Sequence, residues 1–232
     1  MRRRSLVWAV LIAIAVLAHA RADELLPAPV SPVPPLFDQV AIDGALAALD
    51  DIVTDGMKRT GVPGIAVGIV HGDRVVYARG FGVREVGEPE PVDADTVFQL
   101  ASVSKPITST IVAGLVGRKI VDWNGPARDY DPDFALADPY VSEHATIGDL
   151  LAHRSGLRTS AGDLLEDLGY DQAYILARLR RHPLDRFRTS YHYSNFGYTA
   201  GAVAAAKAAG VRFEDLAEQI LFRPAGMETA SF

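Results

Sequence analysis

Near the start of the chain, apolar residues recur at helical spacing and then form two short runs. From Ile42 to Arg59 they fall three or four positions apart, which predicts an amphipathic helix. The two runs, Ile65 to Val70 and Arg74 to Ala78, flank Gly72-Asp73, a dipeptide typical of tight hairpin turns. A helix followed by an antiparallel hairpin indicates an α+β fold.

The pattern from residue 119 to residue 223 predicts a mostly helical region. Thr146 and Asp149 have the spacing of a capping box, in which a side chain and a backbone group at a helix start bond each other reciprocally. This box precedes the apolar pair Leu150 and Leu151. Further helices are predicted at Gln172 to Arg180, Gly197 to Ala209 and Phe213 to Phe222.

Ser102 and Lys105 lie at the start of another predicted helix. Its inner face carries Ile107, Ile111 and Leu115. Residues at i and i+3 share a helix face, so the hydroxyl and the amine can touch. A serine is a weak nucleophile until a base lies within reach of its proton, and a desolvated lysine can be that base. The positive end of the helix dipole would favour an alkoxide here.

Tyr193 and Asn195 form a second motif, 91 residues after Ser102. The phenol can relay a proton, and the amide can orient the lysine or a substrate carbonyl. Tyr193 is predicted to lie in a loop between helices, which suits a side chain that reaches into a cleft. Taken singly, these residues are also compatible with structural roles, such as helix caps or a packed aromatic. Together they are the components of acyl transfer through a serine ester.

The surroundings of both motifs resemble the serine β-lactamase-like hydrolases, which include class C β-lactamases, D-alanyl-D-alanine carboxypeptidases and related esterases. The resemblance extends from about Ala48 to Phe232 and keeps the family's order of segments. The segments are Val62 to Val67, Gly80 to Val83, Asp95 to Phe98, Leu100 to Lys105, Thr146 to Leu157, Tyr193 to Asn195 and Leu221 to Met227. It implies an α+β, β-lactamase/transpeptidase-like fold, with an antiparallel sheet packed against a largely helical region.

The resemblance also implies a role for each site residue. Ser102 would attack a carbonyl and become acylated, and Lys105, alone or with Tyr193, would take the hydroxyl proton. Tyr193 would then protonate the leaving group and activate water for deacylation. Asn195 would bind Lys105 or the substrate amide. No metal or organic cofactor is implied, and the substrate would be a small molecule or peptide with a scissile carbonyl: a β-lactam, a D-alanyl peptide or an ester.

One motif of the family is absent from this sequence. The family's third motif, Lys or His followed by Ser or Thr and Gly, does not occur between Phe196 and Phe232. Two upstream segments are similar, Arg59 to Gly61 and His153 to Gly156, and the second is interpreted as structural. We therefore expect residues 41–232 to be the N-terminal and helical part of a hydrolase domain whose C-terminal strands are missing. The sheet would be incomplete, and the chain alone weakly active and marginally stable.

The missing motif keeps a second hypothesis open. The chain would then be a non-catalytic binding protein, or an inactive fragment of such an enzyme. The presence of Ser102, Lys105, Tyr193 and Asn195 favours the enzyme instead.

The first 22 residues have the organisation of a secretory signal peptide. Arg2 to Arg4 are positively charged, Leu6 to Leu17 are apolar, and overlapping Ala-x-Ala sites end at Ala22. Twelve apolar residues fall short of the roughly 20 that a membrane-spanning helix needs. We therefore predict export to the periplasm or the medium, with no transmembrane segment after cleavage. A Pro-rich stretch, residues 23–40, is predicted to be an extended linker.

Composition argues against several other classes of protein. The chain has no cysteine, which excludes disulfides, a thiol nucleophile and a lipid-modified cysteine. Loss of residues 1–22 would change the formal net charge from −6 to −10, an acidic balance that argues against nucleic-acid binding. The six histidines show no metal-ligand spacing. No serine lies in a Gly-x-Ser-x-Gly frame, and no glycine-rich nucleotide motif occurs.

Overall fold

A computed structural model describes residues 37–232 as two compact units, residues 37–99 and residues 100–232. The predicted signal peptide at 1–22 and most of the predicted linker at 23–40 lie outside the described residues. The first unit consists of one helix and a hairpin, and the second is helical. All four predicted site residues belong to the second unit.

The helices and strands are numbered here in chain order. The first unit contains α1 (Gln39–Thr60), β1 (Gly64–His71) and β2 (Arg74–Gly82). The α-helices of the second unit are α2 (Ser104–Gly117), α3 (Ala127–Tyr130), α4 (Pro139–His144), α5 (Ile147–Leu151), α6 (Asp163–Asp167), α7 (Gln172–Leu176), α8 (Asn195–Ala209) and α9 (Phe213–Ala217). Two 3₁₀ turns, Ala101–Val103 and Leu179–Arg181, and a π-helical turn, Glu218–Phe222, complete it.

Helix α1 begins at Gln39, three residues before the predicted start. The Asp38 carboxylate accepts a hydrogen bond from the Ala41 N–H at 2.8 Å and so caps the helix. The predicted linker therefore ends before residue 40. At the other end Gly61 adopts φ +72°, the left-handed conformation that glycine tolerates at a helix C-terminus.

The predicted hairpin is confirmed. Strands β1 and β2 pair antiparallel, with Gly64 opposite Gly82 and His71 opposite Arg74. Gly72 and Asp73 both have positive φ, at 56° and 59°, as a two-residue turn of this hand requires.

Helix α1 is tied to strand β2 by Asp50. Its carboxylate accepts hydrogen bonds from both Tyr77 and Arg79. These contacts hold the first unit together through side chains.

The core of the second unit forms between α2, α5 and α8. Ile111 and Leu115 on the predicted inner face of α2 are fully buried, and Ile107 packs against the same cluster at its edge. Helix α8 is rich in alanine and glycine, which allows close approach. A Cβ added at Gly201 would lie only 3.2 Å from the Leu150 Cβ of α5. Small residues on α8 thus determine how close the two helices pack.

The predicted helices of the second unit exist, but two of them change geometry before they end. The helix predicted to run to Arg180 stops as α7, and the chain continues as a 3₁₀ turn. The helix predicted to run to Phe222 becomes π-helical after α9, because the Arg223 N–H bonds the Glu218 carbonyl five residues back. The capping box at Thr146 and Asp149 is confirmed. None of the helices in residues 37–232 is both long and apolar enough to span a bilayer.

Candidate active site

Ser102 lies in a 3₁₀ turn that leads directly into α2, so it precedes the α-helix in which it was expected. Residues at i and i+3 lie directly above one another in 3₁₀ geometry. This puts the Ser102 hydroxyl next to Lys105, the second residue of α2. Ala101, immediately before Ser102, has φ +46°, a conformation that non-glycine residues adopt at an energetic cost and often at functional sites.

The structure brings all four predicted site residues into one hydrogen-bonded cluster. Ser102 Oγ lies 2.6 Å from Tyr193 Oη and 3.3 Å from Lys105 Nζ. Lys105 Nζ also donates to Asn195 Oδ1 at 2.8 Å. Lys105 therefore joins the Ser102 motif to the Tyr193 motif, although the two are far apart in the sequence.

Two aromatic rings surround the Lys105 ammonium. It lies 4.5 Å from the centroid of the Tyr193 ring and 5.7 Å from that of Tyr198. At these distances the ring quadrupoles attract the cation. Tyr198 Oη in addition donates to the Lys105 carbonyl at 2.5 Å. Sequence reasoning missed Tyr198, because an aromatic residue inside an apolar helix has the pattern of a core residue.

The environment of Tyr193 lowers the pKa of its phenol below the ordinary value. The largest cause is hydrogen bonding with the Lys105 ammonium, followed by hydrogen bonding with Ser102. Burial and the negative charge of Asp163 act in the opposite direction. The phenolate form of Tyr193 is thus more accessible than in water.

Asp163 is a further charged residue at the site that the sequence pattern did not reveal. Its Oδ2 accepts a hydrogen bond from Asn195 Nδ2 at 3.4 Å. Its Oδ1 is the one buried side-chain nitrogen or oxygen atom in residues 37–232 that has no hydrogen-bond partner. Asp163 is one of many acidic residues in the chain, and no motif distinguishes it.

The loop that carries Tyr193 is hydrogen-bonded along its length to residues 153–160. Four backbone hydrogen bonds join the two segments. The N–H groups of Asp185, Arg188 and His192 donate to the carbonyls of Gly156 at 2.8 Å, Arg154 at 2.8 Å and His153 at 3.1 Å, respectively, and the Ser160 N–H donates to the Tyr193 carbonyl at 3.4 Å. The His192 side chain bonds Asp185 at 2.9 Å within the same loop. This pairing fixes the position at which Tyr193 reaches Ser102.

His153 supports this loop directly. Its Nδ1 accepts a hydrogen bond from the Ser194 N–H at 3.2 Å, and its ring centroid lies 4.7 Å from that of Tyr193. Accepting at Nδ1 requires this nitrogen to carry no proton. Burial and, to a lesser extent, the Lys105 charge lower the pKa of His153. Its segment was interpreted as structural, and these contacts agree with that interpretation.

A buried carboxylate, Asp149, anchors the same region. It accepts hydrogen bonds from Thr146, Arg154 and Arg188. Arg188 further donates to the His144 carbonyl at 3.0 Å. In the part of the chain that the structure describes, no group of three or more His, Asp or Glu side chains is arranged to hold a metal ion.

Residues 49–232 match the family model described as Beta-lactamase. Esterase EstB of Burkholderia gladioli is 32% identical over 214 residues, which cover 83% of this chain and 53% of the esterase. Penicillin-binding protein 4* of Bacillus subtilis (strain 168) is 30% identical over 164 residues, which cover 67% of this chain and 35% of that protein.

A solved structure shares the fold. The octameric penicillin-binding protein homologue from Pyrococcus abyssi superimposes with a TM-score of 0.67 at 24% identity, covering 79% of this chain and 43% of that one. The chain spans about a quarter to a half of the length of the curated relatives it matches. The expected β-lactamase/transpeptidase-like α+β fold is thus confirmed.

We predict that His153 makes the folded state sensitive to acid. Because its folded pKa lies below the ordinary value of about 6.5, the unfolded chain binds the proton first as the pH falls. The free energy of unfolding should therefore decrease as the pH falls below about 6.5, until the folded pKa is passed. Urea unfolding between pH 8 and pH 5 measures this dependence.

His153→Asn should lose this part of the pH dependence, because an amide oxygen accepts from Ser194 without titrating. His71→Asn, which changes an exposed histidine of the other unit, is the matched control. An equal pH dependence in the wild type and in His153→Asn would contradict the assignment.

Proposed function

Because the chain belongs to the beta-lactamase family, we propose that it is a serine hydrolase that acts through an acyl-enzyme formed on Ser102. The observation that supports this best is the contact of Ser102 Oγ with both Tyr193 Oη and Lys105 Nζ. A hydroxyl needs a base within hydrogen-bond reach to become a nucleophile, and here two candidate groups lie within 3.3 Å.

The hydrogen-bond directions favour Tyr193 as the group that takes the serine proton. A lysine ammonium can only donate, so Ser102 Oγ accepts from Lys105 and its own O–H is free to point at Tyr193 Oη. The lowered pKa of Tyr193 increases, at a given pH, the fraction of its phenolate form, which is the form that can accept the proton. Lys105 then acts by stabilising the phenolate rather than by accepting the proton itself.

The proposed reaction proceeds in two transfers. Ser102 Oγ bonds to the substrate carbonyl carbon while its proton moves to Tyr193, and the resulting tetrahedral intermediate expels the leaving group as Tyr193 returns that proton. Water then attacks the ester carbonyl, giving a proton to Tyr193, and the acid is released as Ser102 regains its hydrogen. The positive ends of the helix dipoles and the Ser102 backbone N–H would stabilise the oxyanion.

Asn195 holds Lys105 in this scheme, and we propose that it also faces the substrate amide when one is bound. The relatives' names include an esterase and a penicillin-binding protein, whose ligands share an electrophilic carbonyl. We propose a substrate with such a carbonyl for this chain: an ester, a D-alanyl peptide or a β-lactam. The reaction with any of these three substrates would use the same Ala101 conformation and the same cluster around Lys105.

We predict that Ser102 is the residue that becomes acylated. A fluorescent penicillin or a fluorophosphonate should label the protein, and Ser102→Ala should abolish the labelling. Ser104→Ala is the matched control and should label nearly as the wild type does, because Ser104 is not part of the hydrogen-bonded cluster. Labelling that persists in Ser102→Ala would refute the nucleophile assignment. Labelling without turnover of any ester or β-lactam would instead indicate a binding protein.

We predict that Lys105→Ala and Tyr193→Phe each slow acylation by roughly 10²–10⁴, the usual contribution of general acid–base groups. Stopped-flow labelling with the same probes gives the rates. If Tyr193→Phe kept the full rate with both an ester and a β-lactam probe, Tyr193 would be a packing residue and the proton relay would be wrong.

We further propose that the protein is exported and processed near Ala20 or Ala22. The charge, length and small-residue pattern of residues 1–22 support this proposal. Mass spectrometry of the N-terminus of the protein from the native host should find a chain that starts after one of these alanines. An intact Met1 on cytoplasmic protein would contradict the proposal.

A further inference from the structure

Asp163 is a carboxylate at the site that the acyl-transfer scheme does not use. Its Oδ2 accepts from Asn195 Nδ2 at 3.4 Å, and its Oδ1 is buried without a hydrogen-bond partner. Buried polar atoms are almost always satisfied in folded proteins, so one that is not calls for an explanation. The carboxylate therefore contacts Asn195, the residue that holds Lys105.

The Asn195 amide lies between a cation and an anion. An amide presents an acceptor at one end and two donors at the other. Lys105 Nζ contacts the oxygen at 2.8 Å, and the Asp163 carboxylate contacts the nitrogen. The reversed orientation would place the NH₂ group against the ammonium and the oxygen against the carboxylate, which is unfavourable on both sides. Asp163 therefore selects the orientation in which Asn195 can hold Lys105.

The backbone before Asp163 is fixed by packing. Gly162 has φ +98°, and a Cβ added there would lie 2.7 Å from Ile175 of α7 and 2.8 Å from Phe196 of α8. Phe196 follows Asn195 directly in the chain. The position of the Asp163 carboxylate relative to Asn195 is thus set by the packing of the Gly162 backbone against side chains of α7 and α8, and the pair does not depend on a long exposed side chain.

Asp163 also acts on Tyr193 through its charge. The titratable groups around the phenol are Lys105, His153, Tyr198 and Asp163. Lys105 lowers the pKa of Tyr193, whereas Asp163 raises it. Removal of the negative charge should therefore move the titration of Tyr193 to lower pH.

We propose that Asp163 is a positioning residue for the reaction at Ser102: it orients the Asn195 amide, and Asn195 in turn holds Lys105 Nζ against the serine hydroxyl. The kinetic part of this inference rests on the proposed function. The geometric part concerns Asn195 and Tyr193 and holds whether or not the chain turns over a substrate.

Asp163→Asn in the full chain tests the kinetic part. Acylation by a fluorophosphonate should slow on the order of tenfold to a hundredfold, the usual effect of a misplaced reacting group. The pH profile of the rate should shift to lower pH. Asp167→Asn, an exposed carboxylate on the same helix α6, is the matched control and should change neither quantity. A wild-type rate and profile in Asp163→Asn would overturn the proposal.

A double-mutant cycle tests whether Asp163 acts through Asn195. In an Asn195→Ala background, Asp163→Asn should slow acylation much less than in the wild type, because the residue that it positions is gone and only its charge effect on Tyr193 remains. Effects that multiply fully would show that Asp163 acts by another route. If Asp163→Asn does not fold, Asp163→Glu replaces it, since a displaced carboxylate should slow acylation while keeping the Tyr193 titration near that of the wild type.

Nuclear magnetic resonance provides a readout that needs no activity. With ¹³C-labelled tyrosine, the Cζ resonance of Tyr193, assigned with Tyr193→Phe, should titrate at lower pH in Asp163→Asn than in the wild type. The Asn195 side-chain amide resonances should shift as well. If neither moves, the inference is wrong even where labelling succeeds. If both move but no probe labels Ser102, the proposed function is wrong and the Asp163 contact stands.

Discussion

The buried carboxylate of Asp149 determines where the loops of the helical unit lie. Only 1% of its surface is exposed, and it accepts hydrogen bonds from Thr146 in its own capping box and from Arg154 and Arg188 beyond it. Burial alone would raise the pKa of Asp149, but the hydrogen bonds from Arg188 and Thr146 outweigh it and lower the pKa. The group therefore stays ionised, and a buried charge that lost these partners would destabilise the fold by about 3–5 kcal/mol.

The contacts of Asp149 also fix the position of Tyr193, through the backbone of the two segments that carry Arg154 and Arg188. Arg154 and Arg188, held by one carboxylate, bring residues 153–160 alongside the loop before α8, and the two segments then pair through main-chain hydrogen bonds. His153 and Arg188 both adopt positive φ, at 57° and 63°, which shows that contacts and not local preference set their conformation. The pairing leaves Tyr193 at the end of a supported loop, 2.6 Å from Ser102 Oγ.

Local signals predicted many of the helices and strands and identified the four candidate site residues, because each signal depends on neighbours in the sequence. The hairpin at Gly72-Asp73, the capping box at Thr146 and the buried face of α2 are of this kind. Asp163 and Tyr198 could not be predicted, since their contacts join segments that lie 32 and 93 residues apart. The 3₁₀ turn at Ser102 and the π-helical turn after α9 were also missed, because hydrophobic spacing does not distinguish such turns from α-helix.

The electrostatics of the site follow from where two helices begin. Ser102 precedes α2 by two residues, and Tyr193 precedes α8 by two residues, so both reacting oxygens lie at the positive end of a helix of 14 or 15 residues. Lys105 adds a full charge between them. With only these positive groups the pKa of Tyr193 would be lower still, and its phenolate would be a weaker base toward the Ser102 proton. Asp163 counters part of that field and raises the pKa of Tyr193. One phenol must both accept and return a proton, so its pKa has to be high enough for the first step and low enough for the second. The opposed charges of Lys105 and Asp163 act on that pKa in opposite directions.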